Sequence, residues 1–242
     1  MERKSVLNTI YAAAIALAVF IVFIAAVPSG SHSAYAEEVD TDAVSVLESV
    51  SKYASSRGFT STMYGEVTAR VFGIKYVQRV RGERKIKGGD YFERAESVSS
   101  FVKAAIEKSR SRGRYYVSHG KFDGNRAEYP DAVELSEADY VASYGYPPLG
   151  LIKYDWKGNI LSARKTGEGE YTYTLDPHKS TVNSAVEVRT ALGCKALPEY
   201  RSVEVVLYTD GVKPIKTVCR EVLVVDKFGG VECSAVYEES IR

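Results

Sequence analysis

The chain has 242 residues with 32 basic and 31 acidic side chains, so its overall charge neither announces nor excludes a polyanion partner. Three cysteines, Cys194, Cys219 and Cys233, are too few and odd in number for a disulfide-stapled scaffold. The roughly 200 residues beyond the N-terminal segment are enough for one sizeable β-rich domain with a buried core.

The first 36 residues have the order of an export signal. Arg3 and Lys4 precede an uncharged run from Ile10 to Val27, and Pro28, Gly30 and small polar residues lead to Ala34-Tyr35-Ala36. Two outcomes stay open: cleavage after Ala36, or retention as a single transmembrane anchor, since residues 7–27 are long enough to span a hydrocarbon core. In both, the basic end stays cytoplasmic and the main domain is extracytoplasmic, secreted or anchored to the cytoplasmic membrane. No cysteine follows the run, which excludes a lipidated N-terminal cysteine. The division expected is 1–36 as signal or anchor, 37–42 as a tether and 43–242 as the extracytoplasmic domain.

Thr41 or Asp42 can cap a helix that aligns Val46, Leu47, Val50 and Ala54 and stops at Gly58. The period then changes to two. Met63, Gly65, Val67 and Ala69 alternate with Tyr64, Glu66, Thr68 and Arg70, and Ile74, Tyr76, Gln78 and Val80 alternate with Lys75, Val77, Arg79 and Arg81, which predicts half-buried antiparallel strands. Residues 97–110 fit a helical stripe or an alternation; the hairpin turns Lys87–Asp90 and Ser111–Gly113 on either side favour strands. A further strand is expected over Arg114–Lys121. Ser136 with Asp139 forms a capping box for a short helix ending at Gly145 and Pro147-Pro148. Ile152–Trp156, Asn159–Lys165 and Glu170–Leu175 read as short strands, and Asp176-Pro177 starts a helix through Leu192 to Gly193. Ser202–Thr209, Lys216–Val225 and Val231–Tyr237 close the chain as a meander. In its last hairpin Cys219 and Cys233 share a face about four residues out of register, too far for a direct bridge; a bridge from Cys194 to either stays open beside buried free thiols.

The segments Gly65–Gln78, Asp90–Lys103, Tyr144–Pro148 and Tyr171–Pro177, in this order of elements, resemble extracytoplasmic proteins of Gram-positive bacteria with the LolA-like, lipoprotein-carrier-like half-barrel fold. The likeness covers most of residues 42–240 and rests on element order without a signature motif. It implies an α+β fold: a strongly curved antiparallel sheet, an unclosed β half-barrel, with helices covering its concave face over an apolar cavity suited to acyl chains. It supplies no catalytic residue to map.

No Ser or Cys elbow, metal-ligand spacing or dinucleotide loop is present, and His119 and His178 have no ligand-spaced partners. Glu134 and Glu137 suit the start of a helix better than acid–base work. A non-enzymatic role without metal or cofactor follows. Arg70–Arg114 holds 13 basic and 5 acidic residues, and the chain has 18 tyrosines against one tryptophan. For an exported protein the fitting polyanion is a lipid head group or wall polymer, with no nucleic acid expected. In a carrier or sensor of a lipid or lipoprotein, Met63, Val67, Ile74, Tyr76, Val203, Val205 and Leu207 would line a large cavity for the acyl chain. Lys75, Arg79, Arg81 and Lys85 would meet the head group at its rim, and a fully packed interior would contradict this. The alternative is a cell-envelope interaction domain with a packed core, binding a protein or an anionic wall polymer through exposed Tyr with Lys or Arg.

Overall fold

The computed structural model describes residues 39–71, 74–99, 103–226 and 230–242, so the expected signal or anchor lies outside the described residues. No helix among those described is long and apolar enough to cross a membrane. Helix α1 (Thr41–Arg57) opens the described chain; β1 (Phe59–Val71), β2 (Ile74–Lys87), β3 (Asp90–Val98), β4 (Lys103–Ser111) and β5 (Arg114–Asp123) follow as a meander. Two short strands, β6 (Arg126–Glu128) and β7 (Val133–Leu135), precede helix α2 (Glu137–Tyr144), and β8 (Ile160–Gly167) and β9 (Glu170–Leu175) form the next hairpin. Helices α3 (Pro177–Ser180) and α4 (Val182–Leu192) lead to β10 (Glu199–Asp210), β11 (Lys213–Val225) and β12 (Val231–Ile241).

The strands form one sheet in the order β6-β5-β4-β3-β2-β1-β12-β11-β10-β9-β8, with β7 also on β5. Every pairing between named strands is antiparallel, and β12 joins the two meanders by pairing with β1. The sheet does not close, and its twist over so many strands curls it, giving the α+β half-barrel expected from the element order.

Period two decides what fills the hollow. Phe59, Met63, Val67, Ala69 and Val71 point inward from β1, and Val231, Cys233, Ala235 and Tyr237 from β12. Against them α1 lays the stripe Ala43, Leu47, Val50 and Ala54, each at most 2% exposed, and Tyr173 Oη donates to Ala43 O at 2.8 Å. Each such aliphatic side chain contributes about 1.5–3 kcal/mol on burial. A second cluster, with Ala95, Ile106, Tyr115 and Val117 from β3–β5, seats Tyr140 of α2 and Ala191 of α4. The described residues thus carry a continuous sheet with a buried core of their own.

Residues 97–98 and 103–110 are strand, as alternation predicts; 100–102 lie outside the described residues. Four expectations are corrected. Asp40, not Thr41 or Asp42, caps α1, its Oδ1 accepting from Asp42 N at 2.9 Å and Ala43 N at 3.2 Å. The expected tether therefore does not run loose to residue 42: Val39 bridges to Ala163 and Asp40 N donates to Ala163 O at 3.0 Å. The helix expected from Asp176 to Leu192 is two helices, broken where the hydroxyls of Ser180 and Thr181 bond the carbonyls of Asp176 and Pro177. The strand expected at Ile152–Trp156 is irregular chain. It follows Pro147-Pro148 and Gly150, and its apolar side chains pack onto the concave face instead of extending the sheet. No disulfide links the three cysteines: Cys219 and Cys233 are buried and Cys194 is half-buried, and Cys233 faces Leu223, four residues from Cys219.

Candidate functional site

The concave face carries charges in the phase that the pattern reserves for apolar residues. Arg84 lies between Gly82 and Ile86 in the inward register of β2, opposite Ser61 of β1, and Glu239 follows Tyr237 in that of β12. Arg84 is 2% exposed and Glu239 4%. Arg84 Nε and Nη2 each donate to a Glu239 carboxylate oxygen at 2.8 Å. The remaining donors reach the carbonyls of Pro148 at 3.1 Å, Gly150 at 3.0 Å and Leu151 at 2.8 Å. Five N–H groups meet five acceptors, which satisfies a guanidinium completely. Burial opposes the Arg84 charge, but Glu239 outweighs it and the net shift is upward. Ser61 Oγ donates to the same carboxylate.

A second charge cluster ties α4 to the sheet. Lys108 of β4, 2% exposed, contacts Glu93 of β3 at 3.2 Å and Glu187 of α4 at 2.5 Å. Burial works against its charge, while Glu187 and Glu93 more than compensate and hold the proton. A third charge is poorly served. Glu221 of β11 is 1% exposed, and Lys153 Nζ stands 3.8 Å from it, beyond hydrogen-bond reach. Neither carboxylate oxygen has a hydrogen-bond donor, and burial lifts its proton affinity to about 7 against the weaker pull of Lys153.

Residues 145–159 fill the space above these groups. Leu151, Ile152, Tyr154 and Trp156 are all under 8% exposed, and Tyr154 Oη lies 2.6 Å from Tyr237 Oη. What stays open beside Arg84, Lys108, Tyr140 and Tyr237 is a cleft of about 30 Å³, room for a water or two. Small-molecule sites need roughly 300–1,000 Å³. The cleft beside these charges is therefore far too small for an acyl chain.

No family model and no curated protein matches the chain. Solved structures similar to it include a LolA superfamily protein from Nitrosomonas europaea, with 12% identity, a TM-score of 0.30 and coverage of 83% of this chain and 93% of that one. A putative outer membrane lipoprotein-sorting protein domain from Vibrio parahaemolyticus has 10% identity, a TM-score of 0.31 and coverage of 83% and 90%. The ywiB protein from Bacillus subtilis has 9% identity, a TM-score of 0.24 and coverage of 76% and 92%. In architecture the chain is similar to LolA-superfamily proteins. At these identities the LolA-like likeness transfers no residue's role.

On this LolA-like sheet the residues named from sequence fall in two places. Met63, Val67, Val203, Val205 and Leu207 are in the inward core, at most 6% exposed, and Tyr76 packs partly buried against it. Ile74 shares their register but sits at the end of β2, 58% exposed. Lys75, Arg79, Arg81 and Lys85 occupy the alternate positions of β2 and are exposed on the opposite, outer face. The structure does not bring these cations together with the apolar set. Arg81 pairs with Glu96 at 2.6 Å and Lys85 with Glu83 at 3.2 Å, and Arg79 stands across from Glu66. Lys75 stands across from a like charge, Arg70. On the same face Arg81, Arg94, Glu96, Asn125, Arg126 and Tyr129 line an open groove of about 610 Å³. His119 Nε2 lies 3.3 Å from Tyr144 Oη, and no metal-ligating cluster occurs among the described residues.

The pattern analysis missed the buried charges. Its available signal was phase: Arg84, Lys108, Glu221 and Glu239 each fall on the inward side of an otherwise apolar alternation.

The Glu221 proton affinity makes a pH prediction. Its folded value, about 7, exceeds the ordinary 4.5, so between those values the folded state binds more protons and stability falls as pH rises. The loss approaches about 3 kcal/mol above pH 7 and is absent below about pH 4.5. Urea titrations of wild type and Glu221→Gln should diverge in favour of the variant as pH rises from 5 to 8; parallel curves would contradict the assignment.

Proposed function

We propose that the chain is a non-enzymatic, extracytoplasmic binding domain that works from its surface. Its packed half-barrel is a scaffold, and the outer face of β2 meets an anionic component of the cell envelope. The observation that carries this reading is the exposed row Lys75, Arg79, Arg81 and Lys85 on the face opposite a filled interior. Tyr64, 59% exposed, stands across from Arg81 in the same row, which supplies the aromatic–basic surface that an envelope-interaction domain needs. Several of these cations are partly neutralised by neighbouring carboxylates, so their net attraction is long-range and salt-dependent. Residues 37–242 should sediment with isolated cell envelopes, and Lys75→Glu/Arg79→Glu should weaken attachment by about thirtyfold or more, at roughly 1 kcal/mol for each basic residue near an anionic surface. Attachment unchanged by this double reversal would refute the reading.

Carriage of a lipid or lipoprotein acyl chain is the second reading, favoured by one observation. The segment 149–156, apolar apart from Lys153 and Asp155, has no regular structure and packs on the concave face, and the irregular stretch 145–159 that holds it is of the length that in compact folds is usually functional. In this reading an acyl chain exchanges with the segment. Native mass spectrometry of residues 37–242, purified without detergent, then finds a stoichiometric lipid; an apo mass that stays unchanged when phospholipid is offered refutes the exchange.

A further inference from the structure

The ends of the first two hairpins combine two features that neither folding nor a soluble polymer ligand explains. The first is unneutralised charge. In the β1–β2 register Arg70 stands directly opposite Lys75 on the outer face, an arrangement that destabilises a sheet. Lys103, opposite Val98 in the β3–β4 register, is exposed; its Nζ donates to Gly124 O and Asn125 Oδ1 and lies over the Phe122 ring, and it forms no ion pair with a carboxylate among the described residues. Arg79 completes the group; it stands across from Glu66, while Glu83, Glu96 and Glu107 lie further along the same outward rows and pair with Lys85, Arg81 and Arg94.

The second feature is exposed apolar surface among these cations. Val77 lies between Lys75 and Arg79 along the outward side of β2 and is 37% exposed. Val98, directly across from Arg79 on β3, is 37% exposed, and Ile74, adjacent to Lys75 in the chain but with the inward parity, is 58% exposed where β2 begins. Three branched aliphatic side chains at the end of a sheet gain nothing from water or from a hydrophilic polyanion. An anionic bilayer serves both groups: head-group phosphates answer Arg70, Lys75 and Lys103, and the acyl boundary takes Ile74, Val77 and Val98.

We propose that this end of the sheet, formed by Arg70, Ile74, Lys75, Val77, Val98 and Lys103, docks on the surface of an anionic phospholipid bilayer. The proposal rests on the surface-binding reading above and narrows its partner from an anionic envelope component to the membrane. Docking would hold the half-barrel on its strand ends and leave the rest of the outer face of β2 free.

The test uses residues 37–242 with phosphatidylcholine vesicles, vesicles containing phosphatidylglycerol, and soluble poly(glycerol phosphate) as a separate arm. Sedimentation with the phosphatidylglycerol vesicles alone among the three is expected. Lys75→Glu should weaken it about fivefold, although this variant replaces a like-charge pair with an opposite pair beside Arg70 and should keep or raise the melting temperature. Ile74→Ser/Val98→Ser should weaken it severalfold without removing a charge, and added salt should weaken wild type more than it weakens Lys75→Glu. No binding to the anionic vesicles, or binding that both variants leave intact, overturns the proposal. Binding to poly(glycerol phosphate) in place of vesicles also overturns it while leaving the broader surface-binding reading standing; loss of envelope attachment altogether would remove both.

Discussion

A buried guanidinium has to be satisfied at every donor, and Arg84 meets that condition by drawing the chain around itself. Two of its bonds go to Glu239 and three to the carbonyls of Pro148, Gly150 and Leu151. Removing one partner from such a pair typically costs about 3–5 kcal/mol, because the other charge stays buried and alone. The bonds to carbonyls do what a sheet ladder would otherwise do for residues 148–151: they give an irregular backbone its hydrogen-bond partners away from water. This frees the segment to turn Leu151, Ile152, Tyr154 and Trp156 into the hollow, where they complete the core begun by α1.

That closure links architecture to function. A curved, unclosed sheet offers a concave face that something must cover. Here the cover comes from the chain itself, with Lys108 bonding Glu187 at one side and Tyr154 meeting Tyr237 at the other. With the interior filled, recognition falls to the outer face, where β2 presents cations at alternate positions. This arrangement serves Glu221 badly: its buried carboxylate has Lys153 at 3.8 Å and no hydrogen-bond donor on either oxygen among the described residues.

Alternation was legible because sheet geometry leaves few other ways to use it. The inward set Met63, Val67 and Ala69 and the outward set Tyr64, Glu66 and Arg70 follow from period two alone, and the caps at Ser136 and Gly145 from local backbone chemistry. The half-barrel followed from element order. The site did not, for reasons of the same kind. Lys75 and Arg79 have the opposite parity from Ile74 and Tyr76, so they cannot rim a cavity that the latter line; applying the strand period to the cations as strictly as to the apolar residues would have shown it. Ile74 has core parity yet lies at a strand end, which pattern cannot distinguish from the middle. The Ile152–Trp156 segment has strand-like composition, and its departure from the sheet is set by the distant Arg84, which takes the carbonyls of Pro148, Gly150 and Leu151 just before it.

The central claim is that residues 149–156 are a permanent part of the core, fastened by Arg84. Native-state amide hydrogen exchange measures this directly, because it separates segments that open only with the whole fold from those that open alone. The account predicts that the protected amides of 149–156 exchange as slowly as those of β1 and β12, through global unfolding. Exchange of that segment orders of magnitude faster, with the sheet still protected, would contradict it and show that the concave face opens by itself.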